Sequence, residues 1–321
     1  MSLIRKSQPT PSDVHVDAVL TNISVAYIQR QDHFIAGKVF PIVPVEKQTD
    51  KYFTYTKGDW FRDEAKRRAP SSESAGSGYG MSTASYSCDV FAMHKDVPDQ
   101  VRLNSDAPIN PDRDATEFVT QRLMLRLEKQ WAADYFTTSV WDTDSTPSNL
   151  WDNYATSDPI SDVETGKRTM LVNTGFLPNV LVLGYDVFKA LKNHPDFVDR
   201  FKYTQAGVLT EELLAKVLGV DRILVAKAIN NTAVENETNS FAFVHGKHAL
   251  LAYVNPSPSL LAPSAGYVFS WRGISRGLGQ DVGIKRFRME QLEADRIEGQ
   301  LAFDGKVVAT DLGYFFNGAV S

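Results

Sequence analysis

Few residues in this chain stand at spacings that could do chemistry. The closest pair of imidazoles is His245 and His248, in the run His-Gly-Lys-His. Two imidazoles three positions apart could share a metal ion, but no carboxylate or thiol stands at ligand spacing beside them, and a Gly-Lys turn between two strands is read as exposed. Cys88 is the single cysteine, so no internal disulfide is available and no zinc site can rest on thiolates. It alternates with Tyr86 and Val90 and has no histidine next to it in sequence, which favours a packed thiol over a nucleophile. Asp281, Glu290, Glu293, Asp295 and Glu298 could together hold a cation, but the spacing fits charges alternating with apolar residues on an exposed strand.

Two glycine patterns fail their context tests. Gly166-Lys167 lacks the earlier glycine and the adjacent Ser or Thr of a phosphate loop, and Gly76-Ser77-Gly78-Tyr79-Gly80 does not lie between a buried strand and a helix. No His-Glu-x-x-His helix occurs. The residues therefore supply no catalytic, cofactor-binding or metal-ligating set. A hydrolase or transferase built on an α/β core at 160–255 stays as a rival class, because triads assemble from distant residues. It predicts loss of turnover on changing His245 or His248.

The remaining charged stretch is Asp63, Glu64, Lys66, Arg67 and Arg68. It reads either as a solvated loop or as a contact device whose guanidinium forks reach carboxylates on a neighbouring copy. What positions it decides between the two. Lys51 to Lys57 is β-branched and aromatic, and Thr83 to His94 is a matching strand-like run, so the two are expected to pair. The segment between them is charged and then rich in Gly and Ser, with no apolar face to bury. A long projecting hairpin over about 51–96 follows, with the cationic stretch at its tip, and its length favours the contact reading.

Other elements follow from local signals. Residues 1 to about 35 read as an arm broken by Pro9 and Pro11, with a short helix possible at Asp17 to Ile28. Val39 to Val45 carries Pro41 and Pro44, which allow only an extended edge strand. The strongest helix signal starts at Asn110 as cap with Pro111 at the first turn, then Asp112 and Asp114. Apolar residues recur at Ala115, Phe118, Val119, Leu123, Leu127, Trp131 and Tyr135, with Arg122, Arg126 and Lys129 marking the wet face. Val119, Leu123, Leu127, Trp131 and Tyr135 are its expected core contacts. After a polar linker to Asp158, helices and strands alternate. Ser161 to Glu164 reads as a capping box, Asn179 to Leu183 as a buried strand, and Tyr185 to Lys192 as a helix stopped near Pro195. Thr210 caps a helix that ends at Gly219, and Ile223–Ala226, Phe241–His245 and Ala249–Val254 read as strands. From Ile284 strands return, with Asp304-Gly305 as a hairpin turn between Glu293–Phe303 and Lys306–Phe316.

Bulk composition narrows the class. At 321 residues with 43% hydrophobic content the chain can build a real core. A net charge of -5 argues against a protein held to nucleic acid or to an anionic membrane by its overall charge. The first 22 residues carry neither a secretory signal nor an anchor, and no apolar run, Val180 to Leu183 included, approaches the ~20 residues that span a bilayer.

Arm, long hairpin, long helix, α/β domain and a return to β hairpins, in that order, resemble the major capsid proteins of tailed bacteriophages, with the Hong Kong 97-type fold. The likeness is carried by Val39 to Val45 leading into the hairpin and by Thr116 to Phe136 as a spine helix. It continues through Leu177 to Gly184 followed by Val187 to Pro195, and Leu213 to Val220 running into Ile223 to Ala226. The resemblance implies an α+β capsid fold: an N-terminal arm (1–45), an extended loop (46–100), a peripheral-domain spine helix (101–140), an axial α/β domain (141–282) and peripheral β hairpins (283–321). It further implies hexamers and pentamers of an icosahedral head around double-stranded DNA, assembled in the host bacterial cytoplasm and resident in the virion. Expected partners are copies of the chain itself, a separate scaffolding protein, a portal, a decoration protein and weakly held packaged DNA, with no membrane and no cofactor. The stretch before the hairpin is too short for a built-in scaffold. Lys66 and Asn317 are formally available for the inter-subunit crosslink of some relatives, but no matching signature surrounds them. An encapsulin-type compartment shell shares the fold and is the nearest rival.

Overall fold

The computed structural model describes residues 29–55, 57–105, 109–201, 210–257, 263–274 and 283–321. The possible arm helix at 17–28 and the residue Asp281 lie outside them. In chain order the elements are α1 (Ala36–Val39), β1 (Ile42–Val45), β2 (Thr49–Tyr55), α2 (Lys57–Trp60), β3 (Met81–Ser87), β4 (Asp89–Pro98), α3 (Asp99–Leu103) and α4 (Pro111–Tyr135). Next come β5 (Thr143–Ser145), α5 (Pro159–Thr174), β6 (Val180–Gly184), α6 (Tyr185–Asn193), α7 (Pro195–Phe201), α8 (Glu211–Leu218), β7 (Arg222–Ala226), β8 (Ile229–Asn231) and β9 (Phe241–Phe243). The chain closes with β10 (Ala249–Ala252), β11 (Gly266–Trp271), β12 (Gly283–Met289), β13 (Ala294–Val307) and β14 (Gly313–Phe316).

Two five-stranded sheets organise the molecule. In the first, the fourteen-residue β13 is the axis: β12, β4 and β11 all pair antiparallel with it, and β1 finishes the edge parallel to β11. Pro41 and Pro44 are tolerated there because an edge strand has one side free of ladder bonds. The second sheet runs β5-β14-β10-β6-β7.

The spine helix α4 lies between them. Asn110 accepts the Arg113 N–H at 3.2 Å and Pro111 opens the first turn, as the capping signals require. Val119, Leu123, Leu127, Trp131 and Tyr135 are all buried, in one cluster with Phe40 of the segment before β1, Leu301 of β13 and Val180, Val182 and Phe315 of the second sheet. The alternate residues of that sheet, Leu181, Leu183, Leu251, Tyr314 and Phe316, point the other way into a second cluster under α5, α6 and α8. A period of two thus gives the sheet two apolar faces. Phe118, in the apolar recurrence but outside the five expected core contacts, is 41% exposed.

Several sequence expectations are corrected. Asp304-Gly305 is not a turn; both residues lie inside β13, opposite Phe269 and Val268. The glycine serves close approach: a Cβ on Gly305 would stand 2.9 Å from the Tyr135 hydroxyl and 3.0 Å from its ring. The strand-like run Thr83–His94 is split at Cys88. Its first part pairs with β2, while the part from Asp89 pairs with β13. β11 joins the sheet of β13, and β14 joins the sheet of β6 and β10.

The polar stretch after the spine helix is no open linker either, because Trp141 and Trp151 are buried in it, Trp151 donating its indole N–H to Asp162 at 2.8 Å. α5 starts earlier than the capping box, with Asp158 accepting the Ser161 N–H at 2.9 Å ahead of Pro159. α6 stops at Asn193, just before Pro195 as expected, and Pro195 opens a further helix, α7.

Candidate functional site

The feature least absorbed by the body of the molecule is the hairpin. β2 and β3 pair antiparallel from Thr49 opposite Ser87 to Tyr55 opposite Met81. At its base the hairpin is anchored: Tyr86 stacks on Phe269 at 4.5 Å between ring centroids, and Cys88 is fully buried beside it. Burial, with the Asp304 carboxylate adding to it, pushes the Cys88 thiol up to about 11. It is a packing group, since the reactive form is the thiolate.

At the far end, Asp63, Glu64, Lys66, Arg67 and Arg68 are all exposed. Arg68 donates from Nε to the Ser72 carbonyl at 2.5 Å, and among the described residues none of the five forms an ion pair. The charge-based reading missed the aromatic content of the tip. Tyr55, Trp60 and Tyr79 gather with centroids 5.3–6.3 Å apart, and Trp60, Phe61 and Tyr79 keep 55%, 64% and 62% of their surface open. The signal was present as Trp60-Phe61 standing next to a polar, glycine-rich tip. α2 ties this cluster to the body through a Lys57–Asp311 ion pair, and the Phe61 ring lies over Gly175.

The second unusual place is where three parts of the chain meet on the spine helix. Glu128 is fully buried, a position the helical pattern did not single out, between Leu127 and Lys129. Its carboxylate accepts the backbone N–H of Ile35 at 3.0 Å and of Ala36 at 2.9 Å. His245 is not on an exposed turn as the sequence reading had it. It is buried against Trp131 and Phe136, with Nε2 3.5 Å from Glu128 Oε1. The approach requires Gly184, because a Cβ there would fall 2.1 Å from the Gly246 carbonyl oxygen. Burial raises Glu128 to about 7 against the two backbone donors that lower it, and burial lowers His245 to about 3. His248 is half-buried, with Nδ1 accepting the Gly318 N–H at 3.0 Å. A cavity of about 410 Å³ opens beside these histidines, walled by Phe136, Phe243 and Thr232 with Lys129 at its rim.

One further set has the residue types of a nucleophile and base. Ser157 Oγ is 2.9 Å from His194 Nε2, and His194 Nδ1 is 3.5 Å from Asp196. The proton arrangement is that of a structural knot. The Asp196 backbone N–H donates to Nδ1 at 3.3 Å, so Nε2 carries the proton toward Ser157, whose own hydroxyl donates to the Asn153 carbonyl at 2.7 Å. A base would need Nε2 free to accept. Both Ser157 and His194 are buried.

The acidic stretch is likewise engaged: Asp295 is paired with Arg286 at 2.5 Å and with Arg102 at 3.0 Å, which holds its carboxyl below the usual range. Among the described residues no group of three or more His, Cys, Asp and Glu is placed to hold a metal ion. No helix among them is long and apolar enough to cross a membrane.

No family model matches the chain. Two curated relatives match nearly from end to end. The major capsid protein of Burkholderia phage BcepMu is 26% identical over 316 residues, covering 94% of this chain and 96% of its own. The major capsid protein of Pseudomonas phage JBD67 is 24% identical over 313 residues, covering 95% and 97%. Among solved structures, a phage-related protein of Bordetella bronchiseptica RB50 superposes with a TM-score of 0.69 at 24% identity, over 91% of this chain and 94% of its own. The capsid of cyanophage P-SCSP1u gives 0.63 at 12% identity, over 99% and 97%. An encapsulin of Synechococcus elongatus gives 0.56 at 11%, over 94% and 93%.

Proposed function

We infer that the chain is a phage major capsid protein, a shell subunit of the Hong Kong 97-like α+β fold. The observation that carries this is coverage: both curated relatives are major capsid proteins, and each aligns with at least 94% of this chain, so arm-side segment, hairpin, spine helix and both sheets are matched together. The hairpin gives the physical reason for such a role. A projecting element that leaves Trp60, Phe61 and Tyr79 to water is incomplete as a monomer, and copies in a closed shell can cover it.

In finer terms, the subunits form hexamers and pentamers of an icosahedral head that encloses double-stranded DNA. A separate scaffolding protein directs assembly in the host cytoplasm, a portal occupies one vertex, and a decoration protein can sit on the finished surface. The tip of the hairpin lies on an adjacent copy, with Asp63, Glu64, Lys66, Arg67 and Arg68 forming ion pairs there and the aromatic cluster supplying apolar contact. Support comes from the exposure of those five side chains and their lack of ion pairs among the described residues. The phage reading is preferred to a compartment shell because the curated relatives are phage proteins.

The test is electron microscopy of the chain expressed together with the neighbouring open reading frames of its source, which would include a scaffold. Roughly spherical particles of megadalton mass are expected. Monomers or dimers alone under those conditions would overturn the assignment.

A further inference from the structure

The spine helix carries a cationic face that the assembly reading does not use. Arg122, Arg126 and Lys129 are exposed along it, and Lys95 of β4 stands beside the same face. Lys95, Arg122 and Arg126 are held by aromatic rings and not by carboxylates. Lys95 and Arg122 both lie over Phe118, at 5.2 and 5.3 Å from its centroid, and Arg126 lies over Phe91 at 4.6 Å. Elsewhere on the molecule arginines are forked to acids: Arg102 to Asp112, Arg288 to Asp99 and Arg296 to Asp96, and Arg113 one helical stretch earlier to Glu117. Among the described residues no carboxylate forms an ion pair with any of the four cations. Of the acids beyond Arg126 on this helix, Glu128 is buried, and Asp134 accepts from Gln130 at 2.8 Å, while Gln130 also accepts from Arg126 at 2.9 Å.

Two features set this face apart from an ordinary solvated helix surface. In a chain of net charge -5 it collects four cations without neutralising them. And a guanidinium lying on a ring keeps its edge donors turned outward, so the charge is displayed in a fixed place. At ~1.5 Å per residue, Arg122 to Lys129 extends over roughly 10 Å, a length along which duplex DNA presents about six phosphate charges. Its aromatic rings lie under cations, which suits a charged backbone better than an apolar peptide.

We propose that Lys95, Arg122, Arg126 and Lys129 form a contact surface for the phosphate backbone of duplex DNA, resting on the reading of the chain as the subunit of a DNA-filled head. The contact is sequence-independent. It places the outward side of the spine helix, with the rim of the cavity beside His248, against the packaged genome.

The experiment titrates a fluorescent 30-base-pair duplex with full-length subunit between 50 and 200 mM salt. It compares wild type, the fourfold glutamine variant (Lys95→Gln, Arg122→Gln, Arg126→Gln, Lys129→Gln) and a tip variant (Lys66→Gln, Arg67→Gln, Arg68→Gln). Glutamine keeps part of each stem over the rings. A second variant, Arg122→Lys with Arg126→Lys, keeps the charge should the fourfold change unfold the chain. The fourfold variant is expected to bind at least ten-fold more weakly, with the salt slope reduced by about 3 to 4. The tip and Arg→Lys variants should stay within a few-fold of wild type. An unchanged slope in the fourfold variant, or an equal loss in the tip variant, overturns the proposal. Poly-glutamate that competes as well as duplex at equal charge also overturns it, in favour of an acidic protein partner. Microscopy of the same preparations separates the two readings: duplex binding through the four cations without any shells removes the head assignment and leaves the phosphate surface standing.

Discussion

Glu128 Oε1 and His245 Nε2 face each other at 3.5 Å with both side chains fully enclosed, joining the spine helix to the turn between β9 and β10. Burial moves the two groups in opposite directions, the acid up to about 7 and the imidazole down to about 3, so between those values they hold one proton between them. The signs then cancel. Between about 4.5 and 6.5 the unfolded chain holds one proton on histidine, the folded chain holds one on Glu128, and wild-type stability from this pair is flat. Single variants should break the balance. In His245→Phe the raised acid acts alone, and stability should fall as pH rises from about 4.5 to 7, by roughly 3 kcal/mol. In Glu128→Gln the lowered imidazole acts alone, and stability should rise between about pH 3 and 6.5. Urea denaturation across this range reads both, and equal slopes in the two variants would refute the pairing.

Glu128→Ala removes the acceptor for the Ile35 and Ala36 backbone N–H groups. Two buried donors left without partners should cost about 2–5 kcal/mol by chemical denaturation at neutral pH. A loss under 1 kcal/mol would mean that water replaces the carboxylate and that this junction is looser than its geometry.

Deleting residues 67–80 should leave a folded subunit with unchanged circular dichroism and abolish particles, because the segment is exposed throughout apart from one partly buried residue, Ser72. Trp60→Ala and Tyr79→Ser should behave alike, changing the melting temperature by a few degrees at most while removing shells. Normal particles from the Trp60 and Tyr79 variants would assign the tip contact to its charges alone.

Gly305→Ala separates a turn glycine from one demanded by close approach. A methyl group there would press on Tyr135, whose hydroxyl donates to the Tyr267 carbonyl at 2.8 Å. About 1–3 kcal/mol of destabilisation is expected, and pairing with Tyr135→Phe should recover part of it. A neutral or stabilising Gly305→Ala would contradict the packing described.

Cys88 should resist modification. With its thiol raised to about 11 and enclosed by Tyr86 and Phe269, Ellman's reagent at pH 8 should label it only after denaturant is added. Rapid labelling of the native chain would place the hairpin base in solvent.

Much of this molecule was written in local patterns. Asn110 and Pro111 set the start of the spine helix, its apolar spacing named five buried residues, and Thr210 with Gly219 bounded α8, because caps and helical periodicity act over a few neighbouring residues. The proline pair at 41 and 44 likewise specified an edge strand, since a missing N–H excludes a central one. The hairpin was legible for the complementary reason: the charged and then Gly- and Ser-rich stretch from Asp63 to Gly78 offers no apolar face with which to enter a core.

The tertiary structure decided what depends on distant partners. Asp304-Gly305 reads as a turn until Tyr135 arrives from the spine helix and claims the space of a side chain. His245 reads as exposed until Gly184 lets its turn close over the second sheet and bring it to Glu128. The strand from Thr83 breaks at Cys88 because β13, some two hundred residues later, offers a longer ladder than β2 can. Local patterns marked most helices and strands; burial and pairing across the chain settled which charged and polar groups lost their water.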